Sequence, residues 1–203
     1  RFQNNNFLGK LSIQCRAEMI TEEFIQSVNG LDVKLEFGLQ TIHAEEGSAV
    51  KRCNNMKKVD QVLDMVISAG IEFEVSVIFG LPNQTLESFT KTIGWCIYKG
   101  VPTIKAFPLM LLRGTELEER KKEWNLVEST GSMPVVLSSE TYSLEEWKAM
   151  AQISQALKLT EGLHPSSIDD VLLLAENLEI DMPRFRPQAV PIVAKVSLAS
   201  DTC

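Results

Sequence analysis

The chain has 203 residues, 44% of them hydrophobic, with 20 Lys and Arg against 27 Asp and Glu for a formal net charge of −7. That is enough apolar material for one sizeable core, and the basic residues are scattered apart from short groups such as Arg120, Lys121 and Lys122, which argues against a nucleic-acid groove or an anionic-membrane surface. Apolar runs stop well short of the ~18 residues that cross a bilayer and no signal-peptide pattern is present, so a cytoplasmic protein with small or uncharged partners is expected.

Residues 10–16 (KLSIQCR) form a short β-type run, followed by residues 21–28, where Phe24, Ile25 and Val28 recur at helical spacing behind a Thr21 cap. Residues 33–41 (VKLEFGLQT) alternate as a strand, and the helical stretch after them places Val59, Val62, Leu63, Val66 and Ile67 on one face before Ala69-Gly70 ends it. Residues 72–79 (EFEVSVIF) give the strongest strand signal. They run into Gly80-Leu81-Pro82-Asn83-Gln84-Thr85, and Leu86, Phe89, Ile93 and Ile97 mark the buried face of the next helix.

A fourth strand is expected over residues 102–112, where Pro108 disfavours a regular central strand, and a charged helix over 116–124. Strands alternating with helices mean repeated βα units and a parallel sheet, because parallel neighbours need a crossover that a helix supplies. Residues 1–127 are therefore α/β with a parallel sheet, and 128–203 are a mainly helical extension. In the extension, 129–139 read as turn-rich, Ser143 and Glu146 form a capping box, Ser166-Ser167 cap a helix through Asn177, and Pro183, Pro187 and Pro191 mark an extended tail.

Ligands of such sheets bind at the C-terminal ends of the strands. Those ends carry Gln14, Arg16 and Glu18, then Gln40 and Thr41, then Gly80, Leu81 and Pro82, then Arg113, Gly114 and Thr115. The cysteines, Cys15, Cys53, Cys96 and Cys203, have no metal-chelating spacing and suit a reducing compartment. Cys15 and Cys96 read as core residues, Met110 and Met150 as packing, and His43 and His164, without a paired acid or thiol, as ordinary surface histidines.

Taken in order, LEFGLQT (35–41), Lys51-Arg52, Ser68-Ala69-Gly70-Ile71, VIFGLPNQT (77–85) with Phe89, and Arg113-Gly114-Thr115-Glu116-Leu117 resemble the second half of a radical S-adenosylmethionine (radical SAM) barrel. The branch is the one that includes oxygen-independent coproporphyrinogen oxidase and cobalamin-binding radical SAM proteins, and the resemblance covers roughly residues 7–127. It implies a 4Fe–4S cluster held by a CxxxCxxC loop that this chain lacks, SAM as cofactor, a small-molecule substrate or a group on a larger one, and an electron donor such as flavodoxin or ferredoxin. The chain by itself is expected to be inactive, and its start at Arg1 looks like a cut inside a larger protein.

The resemblance also implies roles for residues. Gln40 matches a strand-end position that hydrogen-bonds SAM, and an amide suits hydroxyls because it both donates and accepts. Arg52, twelve positions later, matches an arginine that reaches the SAM carboxylate, a pairing that lysine cannot copy, against the bland reading of an ion pair with Glu45 or Glu46. Gln14 stands where some relatives carry a SAM-contacting glutamate, so Arg16 or Glu18 is left to take over there, unless Arg16 is a structural ion pair. Ser76 replaces an aspartate of the porphyrin-pathway relative, which weakens assignment to that activity. Gly80 and Leu81 would let the backbone approach the adenine, unless they only serve the turn. Two other readings stay open: a non-catalytic α/β module binding a small molecule or a protein, and an unrelated barrel lyase or isomerase, for which no glycine-rich phosphate turn is seen.

Overall fold

The computed structural model describes residues 8–184. The βα units are β1 (Leu11–Cys15) and α1 (Glu22–Val28), β2 (Val33–Gln40) with α2 (Ala44–Ala49) and α3 (Met56–Ser68), β3 (Glu72–Phe79) with α4 (Leu86–Tyr98), and then β4 (Ile104–Pro108). All pairings are parallel, in the order β1-β2-β3-β4. Strands added one after another with right-handed crossovers keep their helices on one face and curl the sheet into a barrel sector.

The two faces of the sheet differ in chemistry. Along β2, Val33, Leu35, Phe37 and Leu39 are buried on the helix side, while Lys34, Glu36, Gly38 and Gln40 point to the other, partly open side. Phe73, Val75, Val77 and Phe79 extend the apolar layer, which α3 covers with Val59, Val62, Leu63 and Val66 and α4 with Phe89 and Ile93. Ile67, expected on the buried face of α3, is 43% exposed. One residue beyond Val66, it has turned about 100° away from the stripe. Thr21, Asn55 and Thr85 cap α1, α3 and α4 through their side chains.

The last strand is shorter than its sequence suggests and stops at Pro108. Its outward-facing groups are taken by side chains instead of another strand: the Ile104 N–H donates to His164 Nε2 at 2.8 Å, and Ser154 Oγ donates to the Ala106 carbonyl at 2.7 Å. Covering an edge in this way blocks further strand pairing. His164 is thus a partly buried structural residue, and the expectation of a surface histidine is corrected. His43 is corrected likewise, since its Nε2 lies 3.0 Å from the Ser88 carbonyl.

The expected helix over 116–124 breaks into α5 (Glu116–Glu119) and a 3-10 turn, Lys121–Trp124, that ends at Asn125 with φ +49°. β5 (Val127–Glu128), just before the stretch expected to be turn-rich, pairs antiparallel with β6 (Val136–Ser138) inside it. Strands of two and three residues are too short to show alternation, so the hairpin was invisible in the sequence. Leu111 and Val136 N–H groups bond the Pro134 and Leu109 carbonyls, tying the hairpin to the segment after β4. Met110 sits on this seam at 47% exposure, so it does not pack as expected, whereas Met150 and Cys96 are buried.

α6 (Leu144–Leu159), opened by the Ser143–Glu146 capping box, and α7 (Ile168–Glu176) complete the described part. The Trp147 ring lies tilted against Phe79 with centroids 5.5 Å apart, and Phe79 meets Phe89 at 5.8 Å, so α6 continues the outer helical layer. Pro183 lies in irregular backbone, and Pro187 and Pro191 fall outside the described residues. No described helix is long and apolar enough to cross a membrane.

Candidate functional site

On the polar side of the sheet, Gln14, Cys15, Arg16, Glu36, Gly38, Gln40, Arg52 and Ser76 line an open cleft of about 440 Å³. Five of the residues singled out from sequence, Gln14, Arg16, Gln40, Arg52 and Ser76, therefore share one cavity. Register explains four of its positions: Gln14 lies beside Glu36, and Gly38 beside Ser76, across parallel strand pairs.

Gln40 is delivered by strained backbone. The β2–β3 register slips between Gly38 and Gln40, and Gln40 has φ +62° in a tight turn closed by the Thr41 N–H on the Leu39 carbonyl at 2.8 Å. Bulges are rare between parallel strands, and a non-glycine residue at positive φ persists only where its surroundings hold it. The holder is Asn54, whose Nδ2 donates to both flanking carbonyls, Leu39 O at 2.6 Å and Thr41 O at 3.0 Å. Thr41 is itself buried and donates to the buried Glu46 carboxylate at 2.6 Å.

Arg52 arrives on the loop between α2 and α3. Gly47 lets that loop close against α2, because a Cβ there would lie 2.8 Å from the Arg52 carbonyl. The loop is pinned to the end of β1 by Arg16, which donates to the Cys53 carbonyl at 3.1 Å, and by Glu18, which accepts from the Asn55 N–H at 3.1 Å. Arg52 donates to the Gly38 carbonyl at 3.1 Å and pairs with neither Glu45 nor Glu46. A Cβ on residue 38 would meet Gln40 Nε2 at 3.1 Å and an Arg52 terminal nitrogen at 3.2 Å. Gly38 thus leaves room for the amide and the guanidinium to fold over β2 side by side.

Two atoms of this pair, Gln40 Oε1 and Arg52 Nε, are enclosed and find no hydrogen-bond partner among the described residues. Buried polar groups are normally satisfied, so two neighbouring orphans on one cleft wall call for a partner from outside the chain, a water or a ligand. An amide with a free oxygen beside a guanidinium with a free N–H offers hydroxyl and carboxylate recognition.

The other sequence-named residues take different places. Gly80 and Leu81 lie outside the cleft: the Gly80 carbonyl accepts from Tyr142 at 2.8 Å, a Cβ on Gly80 would meet that hydroxyl and the Val136 carbonyl at 3.3 Å each, and Leu81 is fully buried. This is packing under the C-terminal extension, and the expectation that they face a ligand is corrected. The motif's Gln84 is structural as well, since its Oε1 accepts from the Gly80 and Leu81 N–H groups and its Nε2 donates to the Ile78 carbonyl. Nor do the helices after residue 128 cap the cleft, for none of their residues lines it. Cys15 is only half-buried, and enclosure pushes its thiol up to about 11.

Sequence reasoning passed over Glu36. It stands on the cleft side of β2, its two carboxylate oxygens accepting from Ser12 Oγ and from Gln14 Nε2 at 3.0 Å, and these bonds hold it below the usual carboxylate range. The signal was present in the alternation of β2, where Glu36 shares a face with Gly38 and Gln40.

Solved structures share the fold that carries the cleft. The radical SAM methyltransferase TsrM from Kitasatospora setae, with cobalamin and a 4Fe–4S cluster bound, superposes with a TM-score of 0.52 at 18% identity, over 68% of this chain and 28% of that one. The fold is that of the radical SAM superfamily. The archaeal Elp3 of Methanocaldococcus infernus shares this fold as well, with a TM-score of 0.55 at 21% identity, over 73% of this chain and 33% of that one. Among curated proteins, the oxygen-independent coproporphyrinogen III oxidase of Helicobacter pylori is 26% identical over 146 residues, 70% of this chain and 32% of the oxidase. An uncharacterized protein of Methanocaldococcus jannaschii, MJ0486, is 25% identical over 114 residues, 54% of this chain and 35% of that protein. The chain thus spans about a third of the length of these curated relatives. No protein-family model matches it.

Proposed function

We propose that the cleft binds SAM and that the chain supplies the SAM-holding strand ends of a radical SAM enzyme, which acts on a small molecule or on one group of a larger substrate. The observation that carries this reading is the Gln40–Arg52 pair over Gly38, with a buried orphan atom on each side chain. These residues fit the ligand: Arg52 faces a carboxylate, and Gln40 faces ribose hydroxyls. Arg16, already held to the Cys53 carbonyl, adds positive charge to the same wall.

The described residues do not fit the cluster. They contain no grouping of three His, Cys, Asp or Glu side chains that could hold a metal, and Cys15, Cys53 and Cys96 have three different environments, half-buried, exposed and buried. Cluster ligands, and an electron donor of the flavodoxin or ferredoxin type, belong in this proposal to other parts of the protein or to partners. When bound beside a reduced cluster, SAM supplies a 5′-deoxyadenosyl radical for hydrogen abstraction.

The test is anaerobic reconstitution of the full-length protein with iron and sulfide, followed by measurement of reductant-dependent 5′-deoxyadenosine. Arg52→Lys, which keeps the charge but cannot form paired bonds, should raise the KM for SAM by about tenfold, equivalent to roughly 1.4 kcal/mol. Failure to form a cluster and to cleave SAM would reject the enzyme reading in favour of a binding module.

A further inference from the structure

The cleft side of the sheet carries three described carboxylates on β2 and β3, and two of them are neutralised. Glu72 pairs with Lys10 and Lys34, and Glu74 Oε2 lies between Lys34 Nζ at 2.6 Å and Lys105 Nζ at 2.8 Å. Glu36, one strand away from Glu74 in register, has no Lys, Arg or His among the described residues within ion-pair distance. It nevertheless has one donor on each oxygen, Ser12 on Oε1 and Gln14 on Oε2, and both donors come from the neighbouring strand.

Two donors from a flanking strand fix the direction of a carboxylate and leave it two unused acceptor positions. An ionised group held this way on the wall of a cleft, opposite in sign to Arg16 and Arg52, is organised for a cation that arrives from outside the protein. The position of Gln14 fits the same reading, because it cannot carry negative charge itself and instead orients the acid beside it. Glu18 is not an alternative, since its carboxylate is engaged with the Asn55 N–H and with Arg16.

We infer that Glu36 is the cation-recognising residue of the cleft, binding a primary ammonium group, with Ser12 and Gln14 as its positioning residues. The inference rests on the cleft being a ligand site as proposed above. An ammonium on Glu36 and a carboxylate on Arg52 would select an amino-acid-like zwitterion. Two sources carry that ammonium: the aminoacyl portion of SAM, or a second ligand with an alkylamine bound beside it.

The experiment is isothermal titration calorimetry on the full-length protein and its Glu36→Gln variant, with three probes: SAM, a SAM analogue lacking the amino group, and n-butylammonium chloride added with or without SAM. Glu36→Gln keeps the size of the side chain and one acceptor oxygen, removes the charge and puts an NH2 donor in place of the second acceptor, and Gln14→Ala serves as a second variant that leaves the charge in place but unpositioned. A loss of about tenfold or more in SAM affinity, absent for the deaminated analogue, supports the inference and assigns the ammonium to SAM. Unchanged SAM affinity with loss of butylammonium binding supports it and assigns the ammonium to a second ligand. In either case Gln14→Ala should give a smaller loss in the same probe. If Glu36→Gln binds SAM and butylammonium within twofold of the wild type, or if the wild type binds no ammonium probe and treats SAM and the deaminated analogue alike, the inference is overturned. Wild-type protein that binds butylammonium through Glu36 but not SAM would instead remove the SAM reading and leave the ammonium site standing.

Discussion

Gln40 provides the sharpest test of the idea that the cleft is built on stored backbone strain. Its φ of +62° is a conformation that costs a residue with a Cβ roughly 1–2 kcal/mol and costs glycine almost nothing. Both Gln40→Ala and Gln40→Gly remove the amide and its orphan oxygen, so comparing the two isolates the backbone term. In an ordinary strand, glycine is the poorer residue by about 0.5–1 kcal/mol through unfolded-state entropy. Here the strain relief exceeds that cost, and Gly should be more stable than Ala by about 0.5–1 kcal/mol, or on the order of 1–4 °C in melting temperature for a chain of this size. Both variants should lose ligand affinity to the same degree. Thermal denaturation followed by circular dichroism, alongside SAM calorimetry, reads both quantities. An alanine variant that melts at or above the glycine variant would refute the strained-turn argument.

Other expectations follow from the same geometry. Gly38→Ala introduces a Cβ 3.1 Å from the Gln40 amide and 3.2 Å from Arg52, so ligand affinity should fall about tenfold, while melting should move little because the backbone at residue 38 is not left-handed; calorimetry and melting curves separate the two effects. His164 accepts the Ile104 N–H through Nε2 and contacts Thr160 Oγ1 through Nδ1, and burial lowers its proton affinity below the ordinary 6.5. The unfolded chain then binds the proton more readily, so the stability contributed by neutral His164 is complete above pH 6.5 and is lost as pH falls from there through the folded value. Urea midpoints measured across that range should decline more in the wild type than in His164→Gln, whose amide oxygen accepts the same N–H without titrating. Equal declines would exclude His164 as the titrating group.

How much of this was legible in the sequence depended on the range of the forces involved. The parallel strands, the capped helices and the polar strand ends follow from alternation and helical spacing, which are local properties of residues such as Val33 to Gln40 and Val59 to Val66. Ile67 broke the pattern because a buried stripe has a width that spacing alone does not set. The hairpin Val127–Glu128 with Val136–Ser138 escaped because its strands are too short to alternate. His164 looked solitary because its partners, Ile104 and the helix carrying Thr160, meet it only in the folded chain.

For the cleft, the sequence alone determined which polar residues sit at the ends of strands, since side-chain alternation and βα order are written into the chain. Gln14, Arg16 and Gln40 came from that reading, Arg52 and Ser76 only from the resemblance to a known family, and the folded chain brings all five to one cleft. Only the tertiary structure decided which atoms are left free. Register set Glu36 against Gln14, a bulge and Asn54 fixed the direction of Gln40, and Tyr142 closed over Gly80 and took it out of the site. The reason is physical: a strand's pattern fixes the face a side chain occupies, but its hydrogen-bond partners come from elements far away in sequence, and those partners determine what remains for a ligand.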